Sequence, residues 1–288
     1  MRVGDATRYG AIPRRPHPGR SLRCTTTSGL IDMTTPDPAR LGGLEWTRRT
    51  YGSLSRSERR TLLAAIVRRQ GDYVATRLRR VTGRVPAGAR DLSFADFKPP
   101  DSRLARLAEE AAGEQSIHVE GHSYRTWAYG VALAALDRHE LESEIFYVAS
   151  LLHDYGIEMA VAGQDFVLRS AARAERCVAD AELVEAVAIA AADAITVHTT
   201  ASISVEHDGA AGFYVQAGAG LDLAGLRCGD LPRSYFAAVH AAHPRDGVTR
   251  AFLGHIAAES RANPDGREAQ LRRCGFTLLV RANPVDRA

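Results

Sequence analysis

The sequence predicts an all-α fold, and three observations support that prediction. Apolar residues recur at three- and four-residue spacing in one segment after another from Ser102 onward. Many of these segments are rich in alanine, which favours helix. No segment shows a convincing strand alternation, although residues 277–280 are ambiguous. With 288 residues, 45% of them hydrophobic and 25% charged, the chain can bury the core of a helical bundle.

The N-terminal segment has a different composition. Residues 1–40 are rich in Arg, Pro, Gly, Ser and Thr and lack apolar periodicity, so we expect a flexible, disordered segment. Met33 offers a second translation start, and whether residues 1–32 remain in the mature protein is left open. No apolar stretch resembles a signal peptide or approaches the roughly 18 residues that cross a bilayer. We expect a cytoplasmic protein without membrane contact.

Residues 41–100 are predicted to form a basic helical extension and a linker. Ser55 and Glu58 have the spacing of a capping box, and the apolar residues that follow predict a helix to about residue 80, with a break near Gly71. Three prolines predict a connecting loop over residues 83–101. The arginines of this helix could contact nucleic acid or anionic lipid, but a solvated charged face is the commoner explanation.

The net charge of +3 hides an uneven distribution. Residues 1–100 hold 20 Lys and Arg against 8 Asp and Glu, a net charge of +12, whereas residues 101–288 hold 17 against 26, a net charge of −9. The two parts could therefore bind each other, or the basic part could bind a polyanion.

Residues 101–288 are predicted to form one helical domain. The apolar spacing predicts five helices, over residues 103–112, 123–136, 141–153, 166–178 and 181–197. The four cysteines are widely scattered, so neither a disulfide framework nor a thiolate zinc site is indicated.

The residues with the strongest chemical signal are His153 and Asp154, at the end of an apolar helix that Gly156 is expected to terminate as its C′ residue. Where a helix unwinds, adjacent side chains can turn toward one ion, and the negative end of the helix dipole favours a cation there. His122 lies upstream and Asp222 downstream. Imidazole and carboxylate groups are good ligands for divalent transition metals.

These residues and the turns around them resemble the HD-domain superfamily of metal-dependent hydrolases. Within it they are most similar to the cyanamide-hydratase-type branch, and the resemblance covers about residues 100–285. The similar segments are His-Ser-x-Arg at 122–125, Leu-Leu-His-Asp at 151–154, Ala-Ile-Thr-Val-His-Thr at 194–199, Gly-x-Gly-Leu-Asp at 218–222 and His-Pro-Arg at 243–245. The resemblance implies an HD-domain helical bundle in which the metal ligands are His122, His153, Asp154 and Asp222.

The resemblance also suggests the number of metal ions. Dinuclear members of the superfamily carry further His ligands between the His-Asp pair and the last Asp, whereas residues 155–197 contain no His. We therefore expect one divalent transition metal ion, with zinc as the first choice and iron, manganese or nickel as alternatives. Such an ion lowers the pKa of a bound water toward neutrality.

Two further residues are candidates for a catalytic role. His198 ends the alanine-rich helix, where its imidazole could transfer protons at the metal site; a packed imidazole bonded only to backbone is the alternative. Arg125 lies one turn after His122, so it could approach the substrate or anchor a carboxylate ligand.

The resemblance thus implies a metal-dependent hydrolase or hydratase that acts on a small molecule, such as cyanamide or a related small nitrile. The alternative is a phosphohydrolase for nucleotides or phosphate esters, in which Arg125, Arg169 or Arg173 would neutralise the phosphate. A third hypothesis is a nucleic-acid-binding module with a structural metal, which we rank below both. The substrate, the metal identity and a homo-oligomeric state are left open.

Overall fold

The computed structural model describes residues 39–287, except for the side chains of residues 69–72 and 287. The predicted disorder of the first 40 residues falls almost wholly outside this range. The described residues are helical, with no β-strand among them, which confirms the all-α fold. None of their helices is both long enough and apolar enough to span a bilayer. The boundaries at residues 41 and 101 between predicted domains remain predictions.

Four helices form the centre of the bundle. They are α4 (Ile117–Asp137), α5 (Ser143–Leu152), α7 (Glu185–Val197) and α9 (Ala210–Ala224), and each of them packs against at least two of the others. The helices α3 (Arg103–Ala112) and α6 (Phe166–Asp180) cover one side of this centre. The remaining helices are α1 (Leu44–Thr50), α2 (Arg56–Thr82), α8 (Val205–Asp208), α10 (Arg233–Ala242), α11 (Val248–Ala262), α12 (Arg267–Arg273) and α13 (Phe276–Arg281).

Helices α4 and α9 share the most extensive contact between any two helices of the described chain. It depends on Gly218, because a Cβ atom there would lie 2.2 Å from the carbonyl oxygen of Thr126. Such a contact is far inside the van der Waals distance, so only glycine lets the two backbones approach this closely. This approach positions the two residues predicted as ligands on these helices, His122 and Asp222.

Several helix boundaries differ from those predicted. Helix α4 begins at Ile117 because Val119 is fully buried in the core, and it therefore includes His118, which was expected outside it. Helix α7 begins at Glu185, after a turn in which Glu182 has a φ of 61°. The ambiguous residues 277–280 belong to α13. The short α1 was not predicted.

Helix α2 begins as predicted. The Ser55 side chain accepts a hydrogen bond from the backbone of Glu58, whose carboxylate in turn accepts one from the backbone of Ser55, which completes the capping box. No break occurs near Gly71, since the helix continues to Thr82.

Two arginines of α2 contact acidic residues in the C-terminal part of the chain. Arg59 lies 2.7 Å from Asp265, and Arg79 lies 2.6 Å from Asp230. Arg80 lies over the ring of Phe236. At least part of the basic charge of the N-terminal region is therefore used in internal contacts with the acidic region.

Candidate metal centre

The central helices bring the predicted site residues together. Helix α4 carries His122 and α9 carries Asp222. His153 is the C-cap residue of α5, and His198 is the C-cap residue of α7. All four side chains, with that of Asp154, are buried.

Three of these residues could hold a metal ion. Ligand atoms of His122, His153 and Asp154 all lie within 4.8 Å of one another. The Nε2 atoms of the two imidazoles are 3.2 Å apart, and Oδ2 of Asp154 is 3.4 Å from each of them. Two nitrogens and one oxygen therefore converge on one point, as ligands of a zinc-type ion do.

The hydrogen bonds of the outer ring nitrogens show why this point suits a cation. Nδ1 of His153 donates to the carbonyl oxygen of Ser150 at 2.8 Å, and Nδ1 of His122 donates to the carboxylate of Asp222 at 2.7 Å. In the neutral imidazoles both Nε2 atoms then carry lone pairs, and these lone pairs face each other. A cation between them removes this repulsion, so the donor set fits a metal ion.

His198 lies beside this group. Its Nε2 atom is 3.5 Å from Oδ1 of Asp154, and its ring lies edge-on to that of His153 at 4.8 Å between centroids. Nδ1 donates to the carbonyl oxygen of Ile195 at 2.6 Å, which leaves the lone pair of the neutral ring on Nε2. Gln216 holds the turn after α7 by donating to the carbonyl oxygens of His198 and Thr200.

Asp222 lies on the other side of His122 from the convergence point. Its Oδ2 atom accepts the hydrogen bond of Nδ1, so it contacts the ring nitrogen that points away from His153 and Asp154. It is not a member of the three-residue group. The geometry therefore favours a role in orienting His122 over the predicted role as a metal ligand.

Arg125 lies behind Asp222. Its Nε and Nη2 atoms donate to the two carboxylate oxygens of Asp222 at 2.9 and 3.1 Å, and Nη1 donates to the carbonyl oxygen of Pro244. Of the two roles predicted for Arg125, this geometry matches the anchoring of a carboxylate. Arg245 binds the same carboxylate and also lies 2.6 Å from Asp286.

The charges of the site shift the pKa values of its residues. Burial raises the pKa of an acid, but the guanidinium groups of Arg125 and Arg245 hold the pKa of Asp222 well below its usual value. Burial opposes a charge on His122, yet the hydrogen bonds with Asp154 and Asp222 raise its pKa. Burial lowers the pKa of His153. Burial opposes a charge on Asp154, but the neighbouring imidazoles, above all that of His153, hold its pKa well below the usual value, so the site is built around two ionised carboxylates.

The turn after α5 depends on Gly156, although for a different reason from the one predicted. The residue is not in the left-handed conformation of a C′ glycine. A Cβ atom at this position would lie 2.2 Å from the carbonyl oxygen of Phe166. Close packing against the start of α6 thus requires glycine here.

A cavity of about 160 Å³ adjoins the site and reaches it at Asp154 and His198. Its walls are mostly apolar, with Phe166, Phe252 and Ile256 among them. Of the described side chains that line the cavity, none is Arg or Lys. The cavity therefore suits a small molecule without negative charge.

Several residues around the site were not predicted from the sequence. Arg245 lies in the His-Pro-Arg turn that contributed to the family resemblance, so that turn was a usable signal. Glu268 and Thr199 also line the cavity. Glu268 lies in the charged segment Arg-Glu-Ala-Gln-Leu-Arg-Arg, whose composition resembles that of a solvated helix and gives no sign of burial.

Comparisons of the chain with known protein families and with curated proteins find no match.

Proposed function

We propose that the chain is a mononuclear metal-dependent enzyme of the HD-domain type, which adds water to a small uncharged substrate such as cyanamide or a related nitrile. The observation that carries this proposal is the convergence of three buried ligand atoms, from His122, His153 and Asp154, beside an apolar cavity. The motifs that resemble the HD-domain superfamily support it. Zinc is our first choice of metal because the donor set has two imidazoles and one carboxylate.

The residues around the ion have separate tasks in this proposal. When bound, the divalent ion supplies Lewis acidity and lowers the pKa of a water ligand. His122, His153 and Asp154 hold it. Asp222 fixes the ring of His122, and Arg125 keeps the carboxylate of Asp222 in place.

His198 is the proton-transfer residue of the proposed reaction. Hydration of cyanamide adds one water across the C≡N bond, so that carbon gains oxygen, nitrogen gains hydrogen and the product is urea. The Nε2 atom of His198 borders the cavity with a free lone pair in the neutral ring, so it can take a proton from water and deliver it to nitrogen.

The cavity disfavours the phosphohydrolase alternative. Of the three arginines considered for it, Arg125 is committed to Asp222, and Arg173 lies 2.7 Å from Glu114. Arg169 donates to the carbonyl oxygen of Gly156 and to Gln164. None of them lines the described cavity, whose nearest ionised group is the carboxylate of Asp154. An anionic phosphate would find no guanidinium or ammonium group in this lining, so only the metal ion would neutralise its charge.

The nucleic-acid-binding hypothesis is also weakened, because Arg59 and Arg79 of α2 are paired with acidic residues of the same chain. A DNA-binding module would lose affinity steeply as salt is raised, and this dependence distinguishes it from an enzyme.

Kinetic assay of His198→Ala tests the proposed function. We expect the variant to keep its metal and to lose roughly 10²- to 10⁴-fold in turnover of cyanamide, the usual contribution of a general acid or base. The exposed His207, replaced by Ala, is the matched control and should keep wild-type turnover. Efficient hydrolysis of nitrophenyl phosphate by the wild type, with no turnover of cyanamide, would contradict the hydratase proposal. Loss of metal from His198→Ala would make this residue a ligand.

A further inference from the structure

Two side chains that line the cavity each have a polar atom without a hydrogen-bond partner among the described residues. The two atoms are Oε1 of Glu268 and Oγ1 of Thr199, and both are buried. Each side chain is only 7% exposed. A buried polar atom without a partner costs free energy, and most such atoms in folded proteins are satisfied. Two of them belong to side chains of one cavity beside a candidate metal centre, where a bound ligand can supply the missing partners.

The neighbouring cation does not satisfy Glu268. The next residue, Arg267, is fully buried, but its guanidinium group donates to the carboxylate of Asp165 and to the carbonyl oxygen of Thr196. No ion pair among the described residues includes Glu268. The carboxyl group is thus a buried acid without an ion-pair partner among the described residues.

The chemistry of Glu268 suits an uncharged ligand. Burial, together with the nearby carboxylates of Asp154, Asp165 and Glu259, raises the pKa of Glu268 to about 8. A protonated carboxyl group carries no charge and keeps an oxygen that accepts hydrogen bonds, so it can bind the donor group of an uncharged ligand.

We infer that Glu268 and Thr199 form a subsite for the N–H₂ group of a small uncharged substrate, such as a primary amide or an amino-substituted nitrile. This inference rests on the proposed function, because it assigns a substrate class to the same site. Both unpartnered oxygens can accept hydrogen bonds, and an N–H₂ group carries two donors, whereas a hydroxyl group carries one. An ammonium group fits less well, since a divalent cation would repel it.

The size of the cavity agrees with this class of ligand. A cavity of about 150 Å³ with apolar walls accommodates benzene, and the cavity beside Asp154 has a volume of about 160 Å³. The two volumes are nearly equal, so the cavity has room for one small ligand of about this size. Glu268 would then select substrates by hydrogen bonding, and the apolar walls would select them by shape.

A matched pair of probes tests the subsite by binding, without reference to turnover. Benzamide and acetophenone have nearly the same shape and differ in an N–H₂ group against a methyl group. We expect the purified wild-type protein to bind benzamide about tenfold or more tightly than acetophenone, as measured by ligand-observed NMR titration. Equal affinity for the two probes would overturn the inference.

Variants of Glu268 and Thr199 test whether these two residues cause the preference for benzamide over acetophenone. Glu268→Met keeps the side-chain length but removes both polar atoms, so the preference for benzamide should fall to about threefold or less. Glu268→Gln keeps an acceptor oxygen, so this variant should retain part of the preference for benzamide. Thr199→Val, a second and independent substitution, should lower the preference as well. The exposed Glu110, replaced by Gln, is the control and should leave it unchanged.

The outcomes also separate this inference from the proposed function. A preference for benzamide that survives in both Glu268→Met and Thr199→Val would overturn the subsite, even if cyanamide is hydrated. Conversely, loss of the preference in these variants would support the subsite in a protein that hydrates no nitrile, and only the proposed reaction would then fail.

Discussion

At the scale of single residues, the position of each imidazole is fixed by its outer nitrogen. Nδ1 of His153 and of His198 each donates to a backbone carbonyl oxygen three residues earlier, whereas Nδ1 of His122 donates to Asp222. A histidine at the C-terminal end of a helix can form such a hydrogen bond with the backbone of its own helix. The contact between His122 and Asp222 joins residues 100 positions apart, so it exists only in the folded protein.

The substitution Asp222→Asn tests the orienting role of this carboxylate. An amide cannot accept from Nδ1 as strongly as a carboxylate, so the ring of His122 should be held less firmly. We expect metal affinity to fall by roughly 10- to 100-fold without complete loss of the ion, as is usual when a group that orients a ligand is changed.

Metal affinity of this variant can be measured by competition with a chelator. His122→Ala is the comparison and should lose the ion, because it removes a ligand. If Asp222→Asn is as depleted of metal as His122→Ala, Asp222 is itself a ligand, as the family resemblance implies.

A second prediction at this scale concerns the buried acid Glu259. Burial, with the nearby charge of Asp165, raises the pKa of Glu259 to about 7, from its ordinary value of 4.5. Between these two pH values the folded protein binds more protons than the unfolded chain, so the stability contributed by this group falls as pH rises from about 4.5 to 7.

The substitution Glu259→Gln should therefore remove part of the fall in melting temperature over this pH range. Glu268 acts in the same direction, since its pKa is also raised, and a residual slope is expected. Thermal unfolding at several pH values measures the slope, with the exposed Glu110→Gln as control. An unchanged slope in Glu259→Gln would show that its pKa is not raised.

At the scale of helices, the site depends on the close approach of α4 and α9. We expect Gly218→Ala to destabilise the protein by roughly 1–3 kcal/mol, because the new methyl group would meet the carbonyl oxygen of Thr126 and push the helices apart. Metal affinity should fall too, since His122 and Asp222 lie on these two helices.

The matched control is Gly254→Ala. Gly254 lies in α11, and a Cβ atom there would contact nothing within 4 Å. Alanine in a helix is favoured over glycine, so this variant should be as stable as the wild type or up to about 1 kcal/mol more stable. Equal melting temperatures for the two variants would show that α4 and α9 do not pack tightly at Gly218.

The helices were predictable where the apolar pattern is local. The segment predicted over residues 103–112 coincides with α3, and the capping residues Ser55 and Glu58 correctly marked the start of α2. The start of α4 was missed because His118 and Gly121 interrupt the pattern, and burial of Val119 against other helices outweighs that local signal.

The candidate site was predictable only in part, for a related reason. The adjacent pair His153 and Asp154 is a local signal, and the structure brings it together with His122. The side of the ring that Asp222 contacts is set by tertiary packing, as is the burial of Glu268. Spacing along the sequence carries no information about either.

At the scale of the whole molecule, the central helices α4, α5, α7 and α9 place their site residues around one buried point next to one apolar cavity. In the basic helix α2, Arg59 and Arg79 pair with acidic residues from the C-terminal part of the chain. The uneven charge distribution of the sequence therefore contributes to the fold, at least through these pairs.

The central claim is that this buried point binds one divalent metal ion, and metal analysis of the purified protein tests it most directly. We expect about one transition metal ion per chain in the wild type, and almost none in His153→Ala or Asp154→Ala, because each substitution removes a ligand. The exposed His207→Ala should retain the wild-type content. Full metal occupancy in His153→Ala, or two ions per chain in the wild type, would contradict a single site built on His122, His153 and Asp154.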